Sequence, residues 1–270
     1  MTLDWGRRYL MCEARHYGVL YEINPWMHRE VSADPARSVA QWEGLVTTLQ
    51  DVGAAVEMIN PVEGLPDMVF TANGGFVWGD RFVASRFRHP ERSAEERHFR
   101  GWFRGRAQIV DLDGRPFFEG AGDALPFRDR VFAGYRIRSQ FEAHTALAKA
   151  LDVEVLSVEL TDPRFYHFDL TFCPLGDRRA IVVPEAWDDY GRDVVRSVVP
   201  EPIALTREEA LAFSANSVVV GHTIVMPSCT TRLREELEAV GFEVRVCVVD
   251  EFLKAGGGVR CLTLALDMGA

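Results

Sequence analysis

The chain has 270 residues, of which 47% are hydrophobic and 26% charged, and its formal net charge is −10. This is the composition of a globular protein with a sizeable core, in one large domain or two small ones. No stretch approaches the roughly 18 consecutive apolar residues of a membrane span, and the N-terminus lacks the apolar region of a signal peptide. The acidic balance argues against a general nucleic-acid binder and is compatible with a cationic substrate. We expect a cytoplasmic protein that binds neither membrane nor nucleic acid.

The cysteines argue against two common uses of sulfur. They are odd in number, scattered and without C-x-x-C spacing, at Cys12, Cys173, Cys229, Cys247 and Cys261. This pattern is not that of a disulfide framework or a zinc knuckle. No histidine and carboxylate spacing suggests another metal site. We therefore predict no metal and no cofactor, and we expect every cysteine except Cys261 to be structural.

The N-terminal region predicts a strand over residues 17–21, then a helix, then a strand over residues 54–59. Asp34 is suited to be the N-cap of the helix and Pro35 to its first position. The helix is predicted to run to Val52 and to end at Gly53. Its apolar stripe consists of Val39, Trp42, Leu45, Val46 and Leu49.

Four β-hairpins are predicted at intervals of roughly 45 to 50 residues, a spacing typical of repeated supersecondary units. They cover residues 76–84, 124–132, 170–183 and 217–226, with turns at Gly79-Asp80, Arg128-Asp129, Gly176-Asp177 and Gly221-His222. Each turn lies between short β-prone segments, as in paired antiparallel strands.

A helix and a further strand are predicted after each hairpin. Ser93 with Glu96, and Ser139 with Glu142, have capping-box spacing and predict where the first two helices begin. The other two helices are predicted over residues 187–198 and 231–240. The closing strands are predicted over residues 107–112, 153–158, 202–205 and 242–249.

The two chain ends supply a fifth unit. Three consecutive glycines precede Cys261 and run into an apolar segment, residues 261–266, which we predict to pair with residues 17–21. Five ββαβ units in a ring predict an α/β fold, a five-bladed α/β propeller with pseudo-five-fold symmetry that is closed by the N- and C-termini. Residues 1–270 then form a single catalytic domain. An irregular α+β fold is the alternative.

Five segments, one before the first strand of each unit, are predicted to meet at the centre of the ring. They contain Asp67 and Asn73, Glu119 and Asp123, His167 and Asp169, Asn216, and Cys261. A thiol, an imidazole and carboxylates at equivalent positions are the components of nucleophilic catalysis with general acid–base help. A buried structural thiol is the alternative for Cys261.

Several motifs resemble those of the guanidine-modifying (pentein) superfamily, which includes arginine deiminases, dimethylarginine dimethylaminohydrolases and amidinotransferases. The arginine dihydrolase branch is most similar. The motifs are Glu22-Ile-Asn-Pro-Trp-Met27, Pro66-Asp-Met-Val-Phe-Thr-Ala-Asn-Gly-Gly75, Phe118-Glu-Gly-Ala-Gly-Asp123, Tyr166-His-Phe-Asp169 and the glycine-rich run before Cys261. The resemblance covers most of the chain, and it too implies a five-bladed α/β propeller.

The resemblance implies a catalytic role for three residues. Cys261 attacks the guanidinium carbon as a thiolate, and the cationic substrate favours that ionised form. His167 protonates the departing ammonia and then activates water to hydrolyse a covalent thiouronium. Glu119 orients His167 and stabilises its charged form.

Other residues are implied as substrate ligands. Asp67 and Asp169 grip the planar guanidinium by charge-assisted hydrogen bonds. Arg92 and Arg138 hold the substrate carboxylate, and Asn24 adds a contact. Arg86 or Arg88 could exchange roles with Arg92.

Asn73 sets the expected extent of reaction. Deiminases and dimethylargininases carry an acidic residue in this segment, whereas an Asn resembles the dihydrolases, which continue past citrulline to ornithine, ammonia and carbon dioxide. A neutral amide can donate or accept toward a ureido product. We predict arginine dihydrolase activity on free L-arginine. The alternatives are a citrulline-forming reaction on arginine or N-substituted arginine, an amidinotransferase, and a non-catalytic propeller that binds other molecules. A homo-oligomer is compatible with all of them.

Overall fold

A computed structural model describes residues 3–269 of the chain. The strands are β1 (Arg8–Cys12), β2 (Ala55–Ile59), β3 (Gly75–Trp78), β4 (Arg81–Ala84), β5 (Gln108–Val110), β6 (Ala124–Phe127), β7 (Arg130–Tyr135), β8 (Glu154–Glu159), β9 (Phe172–Pro174), β10 (Arg179–Val182), β11 (Glu201–Ala204), β12 (Val218–Val220), β13 (Thr223–Met226), β14 (Glu243–Val246) and β15 (Leu264–Ala265). The helices are α1 (Pro35–Asp51), α2 (Pro90–Ser93), α3 (Glu96–Phe103), α4 (Phe141–Leu151), α5 (Asp189–Val198), α6 (Arg207–Leu211), α7 (Thr231–Ala239) and α8 (Asp250–Leu253). Within residues 3–269, no helix is long and apolar enough to cross a membrane.

The strands form five three-stranded sheets within the described residues, so the α/β class and the four predicted hairpins are confirmed. The sheets, in strand order, are β15-β1-β2, β3-β4-β5, β6-β7-β8, β9-β10-β11 and β12-β13-β14. In each, the first two strands are antiparallel and the third is parallel to the second. A parallel neighbour requires a crossover connection, and at least one helix lies between the second and third strands of every sheet.

Helix α1 shows why the local predictions succeed. The Asp34 side chain accepts a hydrogen bond from the Arg37 N–H and so pairs one of the free amides at the helix start. Trp42, Leu45 and Leu49 are buried along one face, and this apolar face attaches the helix to the core.

The predicted strand over residues 17–21 is wrong. β15 pairs instead with β1, where Tyr9 lies opposite Ala265 and Leu10 opposite Leu264. β1 has four consecutive buried residues and suits a central strand that is covered on both faces. Residues 17–21 lie in a loop, and the Tyr17 hydroxyl donates to the Glu251 carbonyl rather than to a strand.

Neither predicted capping serine caps a helix. Helices α3 and α4 begin without a side-chain cap. The Ser93 hydroxyl donates to the Pro90 carbonyl, and the Ser139 hydroxyl donates to the buried Asp123 carboxylate. A carboxylate is a stronger acceptor than a neutral partner, so Asp123 engages Ser139.

Candidate active site

The segments that precede β3, β6, β9, β12 and β15 come together in the interior, as the sequence analysis predicted. Their polar side chains are buried, at Asp67, Asn73, Glu119, Asp123, His167, Asp169, Asn216 and Cys261. Hydrogen bonds link segments that are 45 to 94 residues apart in the chain. Buried polar groups cost free energy unless they are paired, so this concentration marks a site rather than ordinary core.

His167 and Glu119 form a buried pair. His167 Nε2 lies 2.8 Å from Glu119 Oε2, which also accepts from Arg138 Nη1 at 3.0 Å. Burial opposes ionisation of Glu119, but Arg138 and His167 outweigh it and hold the pKa of Glu119 well below its usual range. Burial lowers the pKa of His167 to about 4, against the opposite effect of Glu119. His167 is therefore a neutral imidazole beside a carboxylate, the resting state of a general base.

Glycines let the backbone approach closely here. Gly120 has a φ of +60°, and a Cβ on it would lie 2.5 Å from the Gly75 carbonyl oxygen. A Cβ on Gly122 would lie 2.3 Å from Asn73 Nδ2 and 3.3 Å from His167 Cγ. Any side chain at Gly122 would thus displace the Asn73 amide or the His167 ring.

Asp123 fixes the backbone around the pair. Its Oδ2 accepts from the Ser139 hydroxyl at 2.5 Å, and the same hydroxyl accepts from the Glu119 N–H at 3.0 Å. Its Oδ1 accepts from the Phe168 N–H at 3.1 Å. Burial and then the Glu119 charge raise the pKa of Asp123 well above its usual value, although the Ser139 bond opposes them. Asp123 therefore binds backbone and supports both Glu119 and His167.

The Cys261 thiol is in contact with two polar side chains. Asn216 Nδ2 donates to Sγ at 3.2 Å, and Sγ lies 3.4 Å from Asp169 Oδ2. Burial raises the pKa of Cys261 well above its usual range, the Asp169 charge raises it further, and the Asn216 amide opposes both. Without a cation nearby, Cys261 is a protonated thiol.

Two buried carboxylates each have one oxygen without a hydrogen-bond partner among residues 3–269. These atoms are Asp67 Oδ1 and Asp169 Oδ1. Burial raises the pKa of Asp67, against Arg92, and raises that of Asp169 to about 7, against Arg260. Free acceptors on desolvated carboxylates are suited to a planar cation that carries several N–H donors.

Arg92 is buried and almost fully engaged. Its Nε and Nη2 donate to the two carboxylate oxygens of Glu95, its Nη1 to Asn73 Oδ1 at 2.8 Å, and its Nη2 also to the Asp67 carbonyl at 3.0 Å. A guanidinium has five N–H donors. Four are used, so one remains, on Nη1.

Arg138 has more donors available. It donates from Nη1 to Glu119 and from Nη2 to the Ile23 carbonyl, and its Nε has no partner among the described residues. Two of the five N–H groups are used and three remain. Its guanidinium also lies 4.7 Å from the centre of the Tyr166 ring.

The loop that contains Asn24 contacts both Arg138 and the glycine run before Cys261. Asn24 Oδ1 accepts from the Trp26 N–H at 2.9 Å, and Nδ2 donates to the Ala255 carbonyl at 3.0 Å, beside the glycine run. Trp26 Nε1 donates to the Arg164 carbonyl at 2.8 Å. The Asn24 side chain thus holds the loop against the segment that leads to Cys261.

Arg86 and Arg88, the two alternatives to Arg92, lie at a partly exposed position. Their guanidinium groups lie 4.6 and 5.2 Å from the centre of the Phe117 ring. Arg88 Nε donates to the Arg138 carbonyl at 2.9 Å, and Arg86 donates to the Arg115 carbonyl. Among these three arginines, only Arg92 has a side chain bonded to Asn73.

Glu95, Asn216 and Arg260 are buried polar residues to which the sequence analysis gave no role. Asn216 lies in one of the five converging segments, so its position was a usable signal. Glu95 was hidden by the apparent capping box that starts at Ser93. Arg260 looks like an ordinary charged residue beside the cysteine, and only its burial is unusual. The other cysteines are buried or half-buried, and no group of three or more metal-binding side chains is present within residues 3–269.

Comparison with known proteins decides the family. A family model described as "N,N dimethylarginine dimethylhydrolase, eukaryotic" matches residues 23–267. The chain belongs to this dimethylarginine dimethylaminohydrolase family. Its similarity to a Mycobacterium tuberculosis protein named N(G),N(G)-dimethylarginine dimethylaminohydrolase is 38% identity over 96% of this chain and 86% of that protein. The superfamily resemblance is thereby confirmed.

Another branch of relatives is more similar in sequence. The chain is 44% identical, over 95% of its length, to the bifunctional arginine dihydrolase/ornithine cyclodeaminase AgrE of Nostoc sp. PCC 7120, and it spans 37% of that protein. A crystal structure of the N-terminal domain of ArgZ, a cyanobacterial arginine dihydrolase, was solved as a cysteine-to-serine mutant bound to substrate. It matches with a TM-score of 0.93 and 42% identity, over 97% of this chain and 98% of that one.

Proposed function

We propose that this family member hydrolyses free L-arginine as an arginine dihydrolase, with ornithine, two ammonia and carbon dioxide as products. One observation carries the proposal: the neutral amide of Asn73 lies between Arg92 and His167, 3.4 Å from the ring nitrogen Nδ1. A carboxylate there would add negative charge beside the imidazole and favour its protonated form. An amide leaves His167 neutral and able to activate water repeatedly. The similarity to AgrE and ArgZ supports the same function.

The substrate guanidinium lies between Asp67 and Asp169 and donates to their free oxygens. Its positive charge next to Cys261 stabilises the thiolate, so binding of the substrate itself lowers the pKa of the nucleophile. His167 takes the thiol proton. A cationic substrate activates the resting enzyme in this way, and the later attack on neutral citrulline uses the thiolate that cleavage of the C–S bond leaves behind.

The first half of the reaction makes a covalent intermediate. The thiolate attacks the guanidinium carbon, a C–S bond forms, and one C=N electron pair moves to nitrogen to give a neutral tetrahedral adduct. Protonated His167 returns its proton to an amino nitrogen, the C–N bond breaks, and ammonia leaves. An S-alkylthiouronium cation remains on Cys261, and His167 is neutral again.

The second half of the reaction uses water. His167 removes a proton from water, the oxygen attacks the thiouronium carbon, and cleavage of the C–S bond releases citrulline. For the dihydrolase, citrulline stays bound, and the thiolate left by C–S cleavage adds to its ureido carbon while the C=O electron pair moves to oxygen. When that pair returns, the C–N bond breaks, and protonated His167 supplies the proton with which the second ammonia leaves. Hydrolysis of the resulting thiocarbamate gives a carbamate of ornithine, which loses carbon dioxide.

Arg138 is the better candidate to hold the substrate carboxylate, because three of its N–H groups are available, against one for Arg92. Arg138 also binds Glu119, so the carboxylate end and the catalytic pair share one cation. Asn24 contributes by holding its loop over the substrate. Arg86 and Arg88 are proposed to have no direct role.

A citrulline-forming reaction on arginine or N-methylated arginine is the second candidate. The family match and the 38% identity to the Mycobacterium tuberculosis protein favour it. The two candidates use the same first cycle and differ in whether citrulline is released.

We also make a proposal about the fold. We infer that the five sheets form one closed five-bladed propeller with pseudo-five-fold symmetry, built of ββαβ units and joined by the chain ends, in which residues 1–270 act as one catalytic domain. The shared strand order and direction of the sheets support it. A cytoplasmic location and a homo-oligomeric state remain predictions.

A product assay tests the function. The pure protein is incubated with L-arginine, and ornithine, citrulline and ammonia are quantified over time, with dimethylarginine in a parallel reaction. Two ammonia per ornithine supports the dihydrolase, and citrulline as the endpoint contradicts it. Cys261→Ser should abolish turnover and leave the fold intact, whereas the half-buried Cys229→Ser should leave the rate unchanged.

A further inference from the structure

The ion pair between Arg92 and Glu95 is connected to His167 through the side chain of Asn73. Arg92 is 2% exposed and Glu95 is fully buried. The pair is bidentate, with Nε to Oε1 at 2.9 Å and Nη2 to Oε2 at 2.8 Å. Two parallel charge-assisted bonds fix the plane of the guanidinium as well as its position.

That fixed guanidinium decides which way the Asn73 amide faces. Arg92 Nη1 lies 2.8 Å from the amide. A guanidinium has donors only, so the atom that faces it must be the oxygen Oδ1. The amide nitrogen Nδ2 then faces His167 Nδ1, at 3.4 Å. The orientation of an Asn side chain is usually ambiguous, but here the arginine removes the ambiguity.

The amide orientation in turn decides the tautomer of His167. Nδ2 carries only donors, so Nδ1 must be the acceptor and keep its lone pair. The ring proton is therefore on Nε2, where Glu119 Oε2 accepts it at 2.8 Å. A proton on Nδ1 would face the amide N–H groups of Asn73, so this tautomer is disfavoured.

We propose that Glu95 is a positioning residue which, through Arg92 and the Asn73 amide, holds His167 in its neutral Nε2–H tautomer, with an unprotonated Nδ1 that can act as base. This rests on the proposed dihydrolase function, which requires water activation in two successive hydrolyses. Glu95 does not touch the substrate.

Asp67 is a second carboxylate that could bind Arg92 in place of Glu95. Arg92 Nε lies 3.9 Å from Asp67 Oδ2, so a second carboxylate is within reach of the same guanidinium. When Glu95 is replaced by a neutral residue, we expect Arg92 to turn toward Asp67. This movement releases the Asn73 amide and occupies a carboxylate that the substrate guanidinium needs. Glu95 thus keeps Arg92 bound to Asn73 and away from Asp67.

The test compares Glu95→Gln with Glu91→Gln, which makes the same charge change at an exposed position on α2. The Arg92→Met/Glu95→Gln double variant removes both charges and covers the case in which Glu95→Gln fails to fold because a buried charge is unpaired. Circular dichroism and thermal unfolding establish which proteins are folded.

The first readout needs no substrate. The imidazole nitrogens of 15N-histidine-labelled protein are recorded by NMR, and the His167 signals are assigned by their loss in His167→Gln. The wild type and Glu91→Gln should show one tautomer, with an unprotonated Nδ1. Glu95→Gln and the double variant should show a mixture of tautomers. An unchanged His167 spectrum in the folded variants overturns the proposal, whatever the protein hydrolyses.

The second readout is the product ratio. In Glu95→Gln, kcat for ornithine formation should fall by about 10²-fold, the low end of what a positioned general base supplies, and more citrulline should be released per ornithine. A lower melting temperature with an unchanged product ratio makes the pair merely structural and overturns the proposal. If the wild type makes no ornithine, the proposed function fails, but the tautomer experiment still decides the role of Glu95.

Discussion

The side-chain amide of Asn216 binds both the thiol and the backbone of Cys261: Nδ2 donates to the thiol at 3.2 Å, and Oδ1 accepts from the Cys261 N–H at 3.2 Å. Oδ1 also accepts from the Gly258 N–H at 3.1 Å. One amide therefore holds the end of the glycine run, the backbone of the nucleophile and its sulfur. The glycines need this external support because they have little conformational preference of their own.

Asn216→Ala should lower kcat by about 10²-fold, since a misplaced nucleophile costs roughly that much. It should also lower the free energy of unfolding by about 1–3 kcal/mol for each backbone amide left unpaired. Urea unfolding and the ornithine assay measure the two effects. The exposed Asn60→Ala is the control, and wild-type activity in a folded Asn216→Ala would show that the thiol does not need this support.

Asn73→Asp should shift the products from ornithine toward citrulline. A carboxylate can accept a hydrogen bond from a protonated Nδ1. It therefore stabilises the protonated form of His167 and makes His167 a weaker base. Single-turnover experiments with 14C-guanidino-labelled arginine would separate label retained in citrulline from label released as carbon dioxide. Complete conversion to carbon dioxide in the variant would contradict the importance of the neutral amide.

Gly122→Ala should reduce activity much more than stability, because its Cβ would lie 2.3 Å from Asn73 Nδ2 and displace the amide. We expect a loss of at least about 10²-fold in kcat. Gly44→Ala is a matched control: it lies in α1 with no atom near the added Cβ and should stabilise the protein by roughly 0.5–1 kcal/mol. Equal activities for the two variants would argue against a site at Asn73.

His144 predicts a pH dependence of stability that is separate from the site. Its Nε2 donates to the Gly134 carbonyl at 3.3 Å, so its Nδ1 accepts from the Ser157 hydroxyl at 2.7 Å. Burial lowers the pKa of His144 to about 4. Between pH 6.5 and 4 the unfolded state binds more protons, so stability falls as the pH falls.

His144→Gln should remove this part of the pH dependence. Relative to the variant, the wild type should lose about 3 kcal/mol of unfolding free energy between pH 6.5 and 4, from 1.36 kcal/mol for each pKa unit. Urea titrations at several pH values measure the difference. A constant difference between the two proteins across this range would refute the assignment.

Local signals in the sequence predicted much of the fold. Turns such as Gly79-Asp80 and the Asp34 cap act within a few residues, so α1 and the four middle hairpins follow from the chain itself. The pairing of β1 with β15 does not follow from local sequence, because Tyr9 and Ala265 are far apart in the chain and become neighbours only in the folded protein. Residues 8–12 and 17–21 each contain four hydrophobic residues of five, so composition alone does not indicate which of the two pairs with β15.

The site divides in the same way. Cys261, His167 and Glu119 lie in motifs whose positions repeat, so their convergence was predictable. Glu95 carries no such signal. The sequence Ser93-Ala-Glu-Glu96 fits an exposed capping box as well as it fits a buried ion pair. Only the three-dimensional structure shows that Glu95 faces Arg92 rather than the solvent.

The pairing of β15 with β1 has a consequence for the order in which the candidate site is completed during synthesis. Tyr9 and Leu10 leave the ribosome long before their partners Leu264 and Ala265, which follow shortly after Cys261. The nascent chain therefore carries Asp67, Asp169 and His167 long before it carries the proposed nucleophile, Cys261. A chain truncated before residue 261 would lack the proposed nucleophile and would expose one edge of β1 to other chains.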